Sequence, residues 1–153
     1  MSKTLTMSHA RLVCTLVAIS VSTLVSSAWA GDTTGQEQLA RWQAHASQPA
    51  SAQRGQVFFS TEAGRQLSCA SCHNVSPVTP GRHASTGKPI EPLAPIAHAP
   101  RLTQASKVDK WFARNCKDVL ARECTAQEKA DVLAYLLSFG AAASVTGLTK
   151  GLP

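Results

Sequence analysis

The most strongly apolar stretch of the chain, residues 12–25, contains only aliphatic, hydroxyl and thiol side chains and no charge. Lys3 and Arg11 precede it, and Ala28-Trp29-Ala30 follows. A basic start, an apolar run too short to cross a bilayer and a small-residue site together read as a secretory signal peptide, cleaved after Ala30. An uncleaved anchor is the alternative. The polar residues 31–38, read as a flexible mature N-terminus, argue against it. No later apolar segment approaches membrane-spanning length, so the mature protein is expected to be soluble.

Past the leader the spacing turns helical. Residues 35–48 carry Leu39, Trp42 and Ala46 at steps of three and four, which predicts a helix closed by Pro49. Ser51 is placed to cap a second helix over residues 52–60, with Val57, Phe58 and Phe59 as its apolar positions. Gly55 lies one turn before Phe59. A glycine inside a helix costs about 1 kcal/mol against alanine, so its use suggests that another backbone passes close by. Ser106 starts a third helix, with Asp109 completing a short capping box, and the pattern runs through Val108, Trp111 and Phe112 to Asn115 or Val119. Thr125-Ala126-Gln127-Glu128 is a capping box for the last helix. Leu133, Leu136 and Leu137 form its apolar face, and Gly140 is its expected end.

Between the second and third helices the pattern breaks down. Pro77, Pro80, Pro89, Pro92, Pro95 and Pro100 fall there, six of the eight prolines in the chain. Such a stretch suits neither a helix nor a central strand. Ile90, Leu93 and Ile96 recur through it, which predicts a loop that wraps a hydrophobic object. No strand pattern stands out, and the chain reads as all-α. The expected organisation is a signal peptide over 1–30, an N-terminal helical extension over 31–50, a core domain over 51–140 and a flexible C-terminal tail over 141–153.

Charge and composition narrow the function. The formal net charge of the 153 residues is +6, and loss of Lys3 and Arg11 with the leader lowers it to +4. The cations form no run in the sequence and aromatic residues are only 5%, which argues against nucleic acid as a partner. Both methionines, Met1 and Met7, leave with the leader, as does Cys14. Four cysteines remain: Cys69, Cys72, Cys116 and Cys124.

Two of them carry the chemistry. Cys69-Ala70-Ser71-Cys72-His73 is a C-x-x-C-H segment, the attachment pattern of a c-type haem. Two thiols at this spacing add to the two vinyl groups of the porphyrin, and the adjacent imidazole supplies the proximal iron ligand. A thioredoxin-like pair or half of a zinc site would be the alternatives. The first expects a strand before the motif and a helix starting at it, and the pattern predicts neither. The second needs two further ligands at matching spacing. Export to an oxidising compartment and the long loop after the motif both favour one covalently bound haem c.

The opposite side of the iron decides the function. A small electron carrier of this class uses a methionine sulfur there, and the mature chain has none. The remaining candidates are His45, His83, His98, Lys88 and Asn115, or no protein ligand at all. His45 precedes the motif and reads as a solvated surface histidine. A second histidine from the loop would give a closed electron-transfer cytochrome with bis-histidine ligation. Asn115 would be a weak ligand, able to hold the oxidised iron and release the reduced one. Its bland reading is a residue near a helix C-terminus. It directly precedes Cys116, which with Cys124 forms the uncommitted cysteine pair. In an oxidising periplasm those thiols are expected to pair, a gain of roughly 2.5 kcal/mol for so short a loop. The alternative is two buried free thiols.

Four segments then point to a known family. They are Lys88-Pro89-Ile90-Glu91-Pro92-Leu93-Ala94-Pro95, Trp111-Phe112-Ala113-Arg114-Asn115-Cys116, Arg122-Glu123-Cys124-Thr125 and Glu128-Lys129-Ala130-Asp131-Val132-Leu133-Ala134-Tyr135-Leu136. Together they resemble the sphaeroides haem protein (SHP) family, oxygen-binding class I cytochromes c, over residues 53–138. The resemblance implies a small class I cytochrome c fold, about four helices wrapped around one haem. It also implies His73 as proximal ligand, Asn115 as a redox-dependent distal ligand and a bridge between Cys116 and Cys124. Similar proteins are reduced by a dihaem cytochrome c and are associated with a membrane cytochrome b. They bind dioxygen transiently and have been linked to nitric oxide oxidation. The resemblance thus extends to a nitric oxide dioxygenase-type activity. A periplasmic monomer that binds dioxygen or nitric oxide is the resulting expectation.

Overall fold

The computed structural model describes residues 32–149, with side chains as far as residue 141. The leader expected over 1–30 lies outside the described residues. The elements in order are α1 (Gly35–Gln43), α2 (Ala52–Ser60), α3 (Ala70–His73), β1 (Gly81–Arg82), β2 (Pro89–Ile90), α4 (Ala105–Leu120) and α5 (Ala126–Thr149). The described residues are all-α apart from an isolated bridge between Ala63 and Leu67 and a short antiparallel ribbon, in which Gly81 pairs with Ile90 and Arg82 with Pro89.

The frame is the crossing of α2 and α5. Ser51 caps α2, its hydroxyl accepting from the Arg54 N–H at 3.2 Å. Thr125 and Glu128 form the reciprocal box at the start of α5: Glu128 N–H to Thr125 Oγ1 at 3.2 Å and Thr125 N–H to Glu128 Oε2 at 2.8 Å. Gly55 meets the backbone of α5 directly. A Cβ placed there would stand 1.9 Å from the Asp131 carbonyl oxygen and 3.0 Å from Tyr135 Cβ. The close approach inferred from the glycine is therefore real, and it seats Phe59 against Tyr135 with ring centroids 5.5 Å apart. Gly55→Ala is expected to push the two helices apart at a cost of about 3 kcal/mol or more, since backbone cannot yield as a side chain end would. Thermal unfolding of the haem-loaded protein measures it.

Asp131 fastens the same crossing. Its carboxylate accepts from the Ser51 N–H at 2.7 Å, from Arg54 Nε at 3.0 Å and from Gln127 Nε2 at 3.1 Å. Burial pushes its pKa up, but these donors more than offset that and hold it below the ordinary carboxylate value.

Several boundaries differ from those the sequence pattern predicts. α1 ends at Gln43, not at residue 48, because the Gln43 side chain turns back to serve the following segment. Its Nε2 donates to the Gln48 carbonyl at 3.1 Å, and its Oε1 accepts from the Ala50 N–H. The residues read as a flexible start are held. Thr34 and Glu37 form a capping box, the Thr33 N–H donates to the Thr103 carbonyl at 3.3 Å, and Asp32 accepts from the Ala105 N–H at 2.8 Å. That last contact replaces the box expected at Ser106: α4 starts at Ala105, and Asp109 is engaged by Arg41 instead.

α4 runs to Leu120 and is closed by Ala121 in the left-handed region at φ 60°. Gly140 does not end α5, which continues to Thr149 where a flexible tail was expected from residue 141. Three alanines after Gly140 restore helix propensity, and no proline intervenes before Pro153. One further helix, α3, forms inside the haem motif, where none was expected.

Candidate haem site

α3 is a single turn built on its own serines. The Ser68 N–H donates to Ser71 Oγ at 3.0 Å, and the Ser71 N–H donates to Ser68 Oγ at 3.2 Å. The His73 N–H closes the turn on the Cys69 carbonyl at 3.0 Å. Asn74 then leaves the helix at φ 60°, its carboxamide donating to the Pro80 carbonyl at 2.8 Å. From α5, the Tyr135 hydroxyl donates to the Val75 carbonyl at 2.7 Å. The exit of the motif is thus tied to the α2/α5 crossing.

The proline-rich loop packs back on this turn. A Cβ at Gly81 would fall 2.0 Å from the Cys72 carbonyl oxygen, so only glycine allows the ribbon so close. The Ala84 N–H donates to Cys72 Sγ at 3.3 Å. Further along, the Leu93 and Ala94 N–H groups share the Pro77 carbonyl at 2.9 and 3.0 Å. Arg101 holds the loop by donating to the Pro92 carbonyl at 2.9 Å and the Glu91 carbonyl at 3.1 Å.

These residues fit a haem. Cys69 and Cys72 are unpaired and half-buried, although the same chain joins Cys116 to Cys124 in a disulfide with Cα atoms 5.6 Å apart. Burial pushes the Cys69 thiol up to about 11, and burial together with the Arg101 charge lowers His73 to about 4. The imidazole is therefore neutral, with a lone pair available to a metal. Its Nδ1 is buried without a hydrogen-bond partner. Cys69, Ala70, Leu93 and Phe112 pack around one cluster of Phe59, Val132, Tyr135 and Leu136, so α3, the loop and α4 border a common apolar region.

Asn115 lies one turn beyond Phe112. It is not at the end of α4, as the sequence suggested, but five residues before it, so a helix-capping role does not apply. It is half-buried, and its carboxamide makes no hydrogen bond among the described residues. The adjacent Cys116 is buried at 5% exposure and anchored through its disulfide to the start of α5. His45 is exposed after α1, as expected of a surface residue. His83 sits in the turn of the ribbon that packs on α3, the helix of His73, and its Nδ1 faces the Ser85 hydroxyl at 3.2 Å and the Thr86 N–H at 3.3 Å. Lys88 is exposed in the same turn. His98 is half-buried in the loop.

The sequence reading missed Arg101, Tyr135 and Asp32 as supports of this region. Nothing in local spacing marks the first two, because Arg101 reaches back nine and ten residues along the loop and Tyr135 acts across the fold. Asp32 is a capping residue whose helix begins far along the chain.

A C-x-x-C-H turn held between two crossing helices and a wrapping loop defines a c-type cytochrome. A family profile described as a domain of unknown function (DUF1924) matches residues 45–136. The cytochrome c-type protein SHP of Cereibacter sphaeroides is 44% identical over 117 residues, covering 74% of this chain and 90% of that protein. Cytochrome c'' of Methylophilus methylotrophus is 41% identical over 88 residues, covering 55% of this chain and 61% of the relative. Among solved structures, oxidised SHP, an oxygen-binding cytochrome c, superposes with a TM-score of 0.66 at 40% identity, covering 71% of this chain and 99% of that one. A solution structure of M. methylotrophus cytochrome c'', concerned with haem-ligand detachment, gives 0.60 at 34% identity, covering 68% and 92%. The chain belongs to the SHP family of c-type cytochromes and carries one covalently bound haem c.

Proposed function

We propose that this chain is an exported monohaem cytochrome in which Asn115 closes the distal side of the iron when oxidised and withdraws on reduction. Dioxygen, nitric oxide or a similar diatomic molecule then takes the open position, and the electron comes from another cytochrome. Cys69 and Cys72 hold the haem through thioethers, and His73 ligates it from the proximal side. The observation that carries this reading is the Asn115 carboxamide, half-buried one turn from Phe112 of the apolar region and without a hydrogen-bond partner among the described residues.

When bound, the haem supplies an iron whose charge falls by one on reduction and whose open position accepts a small ligand. The rest belongs to the protein. A neutral amide oxygen is a poor donor, so a small change at its partner is enough to free it. The bridge at Cys116 holds the backbone at the very next residue, which confines the movement to the Asn115 side chain or a slight rotation of α4. Once free, the carboxamide presents two N–H donors and one acceptor towards the site. A donor there strengthens binding of a ligand that gains negative charge.

Family membership supports this reading, as do an oxygen-binding relative and a second relative studied for detachment of a haem ligand. The competing arrangement is an electron carrier with a second histidine. His83 suits it poorly, since the ribbon that carries it packs on α3, the helix of His73, which leaves His98. Resonance Raman spectra of the two redox forms decide between them. A six-coordinate oxidised and five-coordinate reduced haem is expected, and six-coordinate low-spin haem in both would refute the proposal.

A further inference from the structure

The cations that look scattered in the sequence gather on α4. Lys107, Lys110, Arg114 and Lys117 follow one another at steps of three and four, so they share one face of the helix, and all four are exposed. Among the described residues, Asp118 is the carboxylate paired with this row, 3.8 Å from Arg114. Asp109 lies on another side, where it is engaged by Arg41. Like charges one turn apart oppose helix formation, so stability of α4 does not explain this stripe. Trp111 stands within it at 47% exposure, with the Arg114 guanidinium 5.7 Å from its ring centre. An exposed tryptophan with a guanidinium against its ring, beside a row of exposed cations, has the make-up of an interface anchor. Trp111 also lies one turn before Asn115, so this face borders the flank of α4 that carries the proposed distal ligand.

We propose that the exposed face of α4, made of Lys107, Lys110, Trp111, Arg114 and Lys117, is the docking surface for an acidic patch on the electron-donating protein. This rests on the reading that another cytochrome reduces the haem, and it adds where that partner binds. A protein surface fits better than an anionic bilayer. Val108, Phe112 and Cys116 are turned towards the core, so α4 has no apolar face to sink into lipid.

The test uses the haem-loaded mature protein with a purified acidic dihaem cytochrome c as the probe, and follows reduction by stopped flow. The wild-type second-order rate should fall about tenfold or more between ~10 mM and ~300 mM salt, as steered association does. Lys110→Gln/Arg114→Gln should lower the low-salt rate about tenfold and flatten its salt dependence. Arg82→Gln, an exposed cation on β1 rather than on α4, should leave the rate unchanged. The Soret spectrum and the response of the dithionite-reduced form to carbon monoxide should match wild type in both variants, which separates docking from folding and from the gas-binding reading. An unchanged rate in the α4 variant would overturn the proposal. So would α4-dependent binding to vesicles of phosphatidylglycerol with unaltered reduction by the probe, which would assign the face to a membrane.

Discussion

Asn115→Ala is expected to leave haem attachment and folding intact while opening the oxidised protein to external ligands. Among the described residues the side chain makes no hydrogen bond that its removal would orphan, and it sits on a helix held by other contacts. Asp32 caps its start, Arg41 binds Asp109, and the disulfide fixes Cys116. Little stability should be lost. The effect falls on ligand access. If the carboxamide occupies its position in all but 1–10% of oxidised molecules, an incoming ligand such as cyanide sees its affinity reduced by that fraction. Removing the side chain then raises apparent affinity by about 10- to 100-fold. Binding to the reduced form, where the side chain has already left, should change much less. Equal affinities for wild type and variant in the oxidised state would exclude Asn115 as the distal group.

The second large effect concerns attachment. Cys69→Ala/Cys72→Ala should abolish covalent haem in the exported protein, seen as loss of haem absorbance after acid extraction and of the added mass. The consequence reaches beyond the cofactor. Cys69 and Ala70 pack on the cluster of Phe59, Val132, Tyr135 and Leu136, and Leu93 and Phe112 border the same region. On the proposed attachment, loss of the porphyrin would remove the body this region borders and the object the loop of six prolines is expected to wrap. A marked fall in cooperative thermal unfolding is therefore expected along with the lost haem. Retention of acid-stable haem in this variant would place the attachment elsewhere.

How much of this was legible in the sequence depends on how local each signal is. Ser51, Gly55 and the Thr125/Glu128 box act on neighbouring residues or through a steric rule, and all three behave as read. The C-x-x-C-H segment is equally local. Non-local contacts were not legible. Gln38 is polar yet only 1% exposed, because its amide donates to Thr33 and accepts from Arg41. The start of α4 is capped by Asp32 from the other end of the fold, so the spacing around Ser106 misled. α4 ends on Ala121 in the left-handed region, a conformation that alanine gives no reason to expect. That is why the sequence pattern marks Asn115 as terminal although it lies inside the helix. Gly140 was read as a stop, although a glycine at a helix interior is a tolerated cost when strong helix formers follow.

The measurement that bears most directly on the account is the addition of carbon monoxide to the dithionite-reduced protein. A rapid shift of the Soret band at stoichiometric gas is the predicted result, because reduction has already cleared the distal position. A spectrum that stays as it was, with the reduced iron still held from both sides by the protein, would contradict it.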